Sequence, residues 1–413
     1  MSRMSVAAFL SKAKSSLAQS LRSKGDTPAA FVIGNESADL DSITCAIVYG
    51  YVHSNTPAAR KAGKYIIPVT NIPASELRLR PELTALLKHA NLKPSDLVTL
   101  DDLGKIQDVL PPSTTSWTLV DHNVLQDALG EHFSASVTGV IDHHEDEGKV
   151  PEDAQPRIIE KTGSCSSHVA NYCRETWEHV SSGASTSGAA LGQGDGAIDD
   201  SAYTVTWDAH VAKLALGSIL IDTINLGDSN KVTEHDKKAV KYLEAKINVS
   251  PQTSKTYDRN TFYQEINNAK SNLDELSLQD ILGKDYKQWT EGDLRLGISS
   301  CVRSIEYLES KQENLVPGLI KFAKEHDLDI FAVMTAHNDG ASFQRQLLLL
   351  AVKEGRAIDL TKKFADQFEQ KLQLDHSTTK SEDSEALWLQ LWEQKNLAAS
   401  RKQVAPMLRE AMR

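Results

Sequence analysis

Cysteine is scarce in this chain: Cys45, Cys165, Cys173 and Cys301 are the only four in 413 residues, with no CxxC pair and no dense framework. That pattern excludes a disulfide-stapled scaffold and suits free, mostly buried thiols in a reducing, cytoplasmic compartment. Long apolar runs are also missing. None approaches the ~20 residues that would cross a bilayer, so no membrane association is expected. Positive charge is in deficit: 45 bases against 56 acids give a net charge of −11. A protein that coats nucleic acid through a general positive field is therefore not expected, although a polyanion could still bind at a local site. Aromatic residues make up only 6% of the chain, which lends little support to a base-stacking platform. Acids are absent from residues 1–24, where Arg3, Lys12, Lys14, Arg22 and Lys24 occur among serines. This composition matches a mitochondrial transit peptide in outline; the preferred reading is an amphipathic helix with Leu10, Leu17 and Leu21 on one face, packed on the sheet that follows.

What is present is a long alternation of strand and helix patterns. Apolar "AAFVIG" (29–34) precedes "DSITCAIVYGYVHS", "KYIIPV" and "PELTALLKHA", and the short strands "DLVTL", "SWTLVD" and "VTGVID" follow. Strands apolar on both faces, separated by helices, predict an α/β fold: a parallel, doubly wound sheet covered by helices. Residues 181–200, "SSGASTSGAALGQGDGAIDD", read as a disordered insertion between two helices. A charged helical stretch near 233–247 suggests a boundary at about 245, with a catalytic domain over 1–245. A smaller α/β domain over 246–413 would contain strands such as "LRLGISSCV" and "DIFAVMTAH".

In a doubly wound sheet the ligand crevice forms at the carboxyl ends of the strands, so polar residues there carry the information. Asn35, Asp39 and Asp41 follow the first strand in "GNESADLDS"; "LVDHN" ends on Asp121, and "VIDHH" on Asp142, His143 and His144. Asp222 sits among aliphatic side chains in "SILIDTI", where a lone carboxylate is costly unless paired or bound to metal. Each has an ordinary explanation alone, such as a helix N-cap for Asp41. Together, carboxylates on one rim with histidine beside them make a concentrated negative site that calls for cations. Oxygen-rich coordination with one or two imidazoles suits Mg²⁺, Mn²⁺ or Co²⁺. Two such ions ~4 Å apart can activate a water and clamp phosphoryl oxygens, which points to phosphate hydrolysis.

The motifs "ADLDS", "VDHN", "GVIDHH" and "LIDT", in this order and spacing, resemble the four motifs of the DHH phosphoesterase superfamily. The likeness is closest to the branch of family II inorganic pyrophosphatases and fungal cytosolic exopolyphosphatases, and "DYKQW" (285–289) and "SRKQVAP" (400–406) resemble that branch's substrate-binding motifs. The resemblance implies an active site in a cleft between two domains. It implies Asp39 on one cation and Asp41 and His143 on the other, with Asp121 and Asp222 between them. His144 would face substrate and aid proton transfer, while Asp142 would orient the neighbouring, metal-bound histidine. Lys287, Arg401 and Lys402 would bind phosphate oxygens. Family II pyrophosphatases carry a metal-binding histidine where this chain has Asn35, as the exopolyphosphatase branch does. An amide there leaves a harder catalytic site, which favours Mg²⁺. The expectation is an exopolyphosphatase acting on linear polyphosphate as a monomer. The alternatives are an inorganic pyrophosphatase, a nucleotide phosphodiesterase and a non-catalytic polyphosphate-binding regulator. Asp101 and Asp102 also follow a strand, without an assigned role.

Overall fold

The computed structural model describes residues 3–190, 196–274, 276–312, 314–340, 342–352, 355–383 and 387–412, without the side chains of 183–202 and 376–386. It divides into two compact units, Met1–Ala269 and Lys270–Arg413.

The first unit is built on six parallel strands: β1 (Ala29–Ile33), β2 (Ile66–Thr70), β3 (Val98–Thr99), β4 (Thr115–Val120), β5 (Val137–Asp142) and β6 (Arg157–Ile159). Their order is β3-β2-β1-β4-β5-β6. The chain therefore winds outward from β1 in one direction and, from β4, in the other. The switch point lies between β1 and β4, where such sheets open a crevice. Register across it is fixed by direct pairing of Phe31 with Trp117, whose rings stack at 4.3 Å between centroids. Cross-strand aromatic pairs of this kind stabilise a sheet by roughly 0.2–1 kcal/mol. Because Ile33 pairs with Leu119 and Val120 with Ile141, Asn35, Asp121 and Asp142 fall side by side at three strand ends.

The N-terminal segment forms the helix Val6–Arg22, which buries Val6, Phe9, Leu10, Ala13 and Leu17 in the core of this unit; Leu21 packs at its edge. Arg3 just before it is buried in an ion pair with Asp208. Of the stretch 181–200, residues 191–195 lie outside the described residues, and the flanking parts belong to the helices Cys165–Ala190 and Gly196–Asp222. The boundary between units falls beyond the expected position near 245. The reason is the helix Arg259–Ser271, whose Phe262, Tyr263 and Ile266 are buried in the core of the first unit.

The second unit holds a mixed sheet and a hairpin. Its strands are β7 (Tyr286–Glu291), β8 (Leu294–Cys301), β9 (Ile330–Thr335), β10 (His337–Asp339), β11 (Ser342–Gln344), β12 (Gln346–Ala351), β13 (Leu374–Asp383) and β14 (Trp388–Gln394). The sheet order is β13-β14-β12-β9-β8-β7, and β10 pairs with β11 alone. Only β8 and β9 run parallel; the other pairings in the sheet are antiparallel. The amphipathic helices Arg356–Leu372 and Arg401–Met412 bury Phe364, Phe368, Val404 and Leu408 against it. Full burial of such side chains contributes about 1.5–3 kcal/mol each. Among the described residues no helix is long and apolar enough to cross a membrane.

Candidate metal centre

The switch point is organised by hydrogen bonds that begin at Gly34. A Cβ there would lie 2.5 Å from Ser42 Cβ, so only glycine allows β1 to pass this close to the helix Leu40–Ser54. Ser42 Oγ consequently accepts from Asn35 N (3.1 Å) and donates to Asp121 Oδ2 (2.7 Å). Asn35 Nδ2 donates to the same oxygen at 2.8 Å. Asp121 lies just past β4 with φ at +61°, a left-handed conformation that aspartate tolerates better than most residues. Its other oxygen, Oδ1, is 3.2 Å from His143 Nε2 and 3.8 Å from His144 Nδ1. Burial pushes the Asp121 carboxyl up, yet the two imidazoles and the Ser42 hydroxyl outweigh it and hold the group below the usual carboxylate range.

Asp121, His143 and His144 thus bring three potential ligand atoms within 4.8 Å of one another. His143 Nδ1 lies 3.0 Å from the Thr162 carbonyl. A carbonyl only accepts, so Nδ1 carries the proton and Nε2 is the ligating nitrogen. His144 Nδ1 donates instead to Asp142 Oδ1 at 2.8 Å. Asp142 also accepts from Asn123 Nδ2 (2.6 Å) and His143 N (2.7 Å). Despite its burial, these donors hold Asp142 well below the ordinary carboxylate range. The expected pairing is therefore corrected: Asp142 orients His144, and a main-chain carbonyl orients His143. Adjacent residues at a strand end point in different directions, and each finds its own partner. The His143 side chain is 11% exposed and that of His144 31%, so His144 is the more open of the two.

The other expected ligands, Asp39, Asp41 and Asp222, are not part of this set. Asp39 is the N-cap of Leu40–Ser54 and accepts from Ser42 N at 3.0 Å. Asp41 is buried in the first turn of that helix and points at the start of another, Cys165–Ala190. It accepts from Ser164 Oγ (2.8 Å), Cys165 N (2.6 Å) and Ser166 N (2.9 Å). Burial, followed by the nearby Asp121 carboxylate, still pushes Asp41 up. Helix N-termini favour negative charge, which makes this a natural anchor for a carboxylate. Asp222 ends the helix Gly196–Asp222 one turn after Ser218, whose hydroxyl bonds Leu40 O (3.1 Å) and Thr44 Oγ1 (2.5 Å). Residues four apart share a helix face, so Asp222 lies on the side that meets the Asp39–Asp41 turn. Carboxylate oxygens and an Nε2-directed imidazole form a donor set that fits a hard or borderline divalent cation.

In the second unit, Arg401 opens its helix with Nη1 donating to Asp285 O (2.8 Å) and Nη2 to Asp285 Oδ1 (2.7 Å). Lys287 lies on β7, two residues after Asp285, and Lys402 is exposed. Burial pushes Asp285 up, but Arg401, Lys287 and Lys270 outweigh it and lower the carboxyl. Asp101 accepts from Ala74 N, and Asp102 caps its own short helix through Thr99 N; both are structural. Sequence reasoning passed over Ser42 and Asn123, and the turn 162–166 that holds His143 and Asp41. The only signal for that turn was the run of small and hydroxyl residues in "TGSCSS".

Residues 29–190 match the DHH family N-terminal domain, and residues 264–411 match the DHHA2 domain. A Schizosaccharomyces pombe protein provisionally named an exopolyphosphatase is 33% identical over 383 residues, covering 93% of this chain and 91% of its own. A manganese-dependent inorganic pyrophosphatase of Methanothrix thermoacetophila is 24% identical over 309 residues, covering 74% of this chain and 80% of its own. In fold, the chain is similar to a Methanococcus jannaschii structure provisionally described as a family II inorganic pyrophosphatase. The TM-score is 0.55 at 19% identity, over 93% of this chain and 99% of that one. The two matched domains and the fission-yeast relative together establish that this chain belongs to the DHH family, with a DHHA2 domain following its DHH domain.

Proposed function

We propose that this protein is an exopolyphosphatase, a metal-dependent phosphoanhydride hydrolase that releases terminal orthophosphate from linear polyphosphate. The observation that carries the reading is the convergence of Asp121, His143 and His144 within 4.8 Å at the switch point of a DHH-family sheet. Asp121 and His143, together with Asp39, Asp41 and Asp222, are the residues that would hold two divalent cations. Mg²⁺ is favoured by the amide at Asn35, with Mn²⁺ or Co²⁺ as substitutes. When bound, such ions supply Lewis acidity toward phosphoryl oxygens and the attacking water.

The chain's own groups do the rest. Asp142 fixes the Nδ1–H of His144 at 2.8 Å, which leaves Nε2 as the atom that exchanges a proton with the departing phosphate. Asn35 and Ser42 hold Asp121 in place through 2.8 and 2.7 Å bonds. Lys287, Arg401 and Lys402 contribute positive charge to the phosphate chain, the arginine through a planar fork whose direction Asp285 sets. We further infer a reducing compartment, in keeping with four free, buried cysteines, and a monomer, on the family resemblance alone.

A second reading, inorganic pyrophosphatase, is favoured by the name of the Methanothrix relative. One assay separates the two: orthophosphate release from long-chain polyphosphate and from pyrophosphate, in Mg²⁺ and in Mn²⁺, with residual chains sized on a gel. Loss of long chains without mid-length fragments, while pyrophosphate survives, is the expected result. Faster turnover of pyrophosphate would establish the second reading instead.

A further inference from the structure

Asp236 belongs to none of the DHH motifs quoted above, yet its carboxylate is fully buried and accepts five hydrogen bonds. Two come from Thr233, through N (2.7 Å) and Oγ1 (2.9 Å), the first of them half of the capping box of the helix Glu234–Val249. A cap needs no more than these. The other three come from a separate part of the chain: Thr162 Oγ1 (2.9 Å), Gly163 N (3.0 Å) and Ser167 Oγ (2.6 Å). They tie down both ends of the turn 162–167. Between those ends, Ser164 Oγ, Cys165 N and Ser166 N hold Asp41, and at its start the Thr162 carbonyl holds His143 Nδ1. Gly163 allows the close approach, since a Cβ there would lie 3.0 Å from Asp236 Oδ2 and 2.6 Å from Thr223 Cγ2.

We propose that Asp236 is a positioning residue for the metal centre: it fixes the turn 162–167, and through that turn sets the direction of His143 and the place of Asp41 together. The proposal rests on the metal-dependent reading above. One carboxylate thereby couples two candidate ligands that come from different strand ends. Outer partners that orient ligands in this way commonly account for 10–100-fold in metal affinity.

The test is Mn²⁺ binding to the full chain, read from the electron paramagnetic resonance signal of free Mn²⁺, for wild type, Asp236→Asn and Thr162→Val. The melting temperature in EDTA is measured alongside. Thr162→Val removes the hydroxyl that bonds Asp236 and Thr233 Oγ1 and keeps the carbonyl that bonds His143. For Asp236→Asn the expected result is a rise of about 10–100-fold in the Mn²⁺ dissociation constant, with kcat recovering toward wild type at saturating Mn²⁺. A folded Asp236→Asn that binds Mn²⁺ like wild type, with only its melting temperature lowered, overturns the proposal. If Asp236→Asn does not fold, Thr162→Val decides: weaker Mn²⁺ binding at an unchanged melting temperature supports the proposal, and wild-type binding overturns it. Wild-type protein that binds no Mn²⁺ overturns the metal-dependent reading itself, and this proposal with it.

Discussion

His143 Nε2 stands 3.2 Å from Asp121 Oδ1 while its Nδ1 stands 3.0 Å from the Thr162 carbonyl. With Nδ1–H committed to that carbonyl, a neutral His143 turns a lone pair toward a carboxylate that also only accepts. Two acceptors at this distance repel unless a proton or a cation lies between them. The pair therefore links metal binding to proton release, as metal sites with imidazole ligands generally do. Acid should weaken Mn²⁺ binding at this centre, because protons compete for the same nitrogen.

Asp121→Ala and His143→Ala each remove one side of that pair. Loss of several kcal/mol of Lewis-acid stabilisation corresponds to about a thousandfold drop in turnover. Phosphate release from polyphosphate measures it, and circular dichroism checks that the fold persists. Near-normal turnover in Asp121→Ala would remove this site from the reaction.

Much of this centre was legible because its carboxylates stand where apolar runs stop. Asp121 and Asp142 end strands that read as buried, and the pairing of Ile33 with Leu119 and Val120 with Ile141 then aligned them. The partners of the two histidines were not legible. Their directions depend on Thr162 and Asp142, and a carbonyl has no signature in a sequence. Asp236 was not singled out: it lies at the start of the charged helical stretch near 233–247, and its bonds to 162–167 join parts of the chain far apart in sequence. Strand β6 went unseen because its two isoleucines stand between Arg157 and the charged pair Glu160–Lys161, whereas the still shorter β3 lies within the apolar run "DLVTL". The domain boundary was misplaced because the polar face of Arg259–Ser271 hid three apolar residues at helical spacing.

Asp142→Asn tests the orientation of His144 and carries a defined pH dependence. The folded-state pKa of Asp142 is depressed, so its contribution to stability is present above the unfolded carboxylate value near ~3.9. It is lost as pH falls below that value toward the folded one. The variant should melt below wild type at pH 7, and the gap should close progressively once the pH drops under about 4. Thermal melts in EDTA between pH 7 and pH 3 measure it; a gap that is constant or widens in acid contradicts the assignment.

Ser42→Ala probes the hydroxyl between Asn35 N and Asp121 Oδ2. Removing it leaves a buried carboxylate oxygen with one donor fewer, at a cost of about 1–3 kcal/mol in stability. Turnover should fall about 10–100-fold, the usual range for a group that supports a ligand. Urea denaturation and steady-state kinetics read the two effects separately.

Arg401→Ala and Arg401→Lys address the basic end of the substrate. The guanidinium donates to Asp285 through two nitrogens, so its fork is oriented before any phosphate arrives. Lysine restores the charge but cannot make both bonds and present a planar pair of donors at once. Both variants should therefore raise KM for polyphosphate by more than they lower kcat. The alanine effect should be about tenfold or more, equivalent to the 1.5–3 kcal/mol of a charged hydrogen bond, with lysine in between. Asp285 would become more accessible in either case, and its repulsion of phosphate adds to the loss. A kcat that collapses at unchanged KM would place Arg401 in the bond-breaking step rather than in holding the chain.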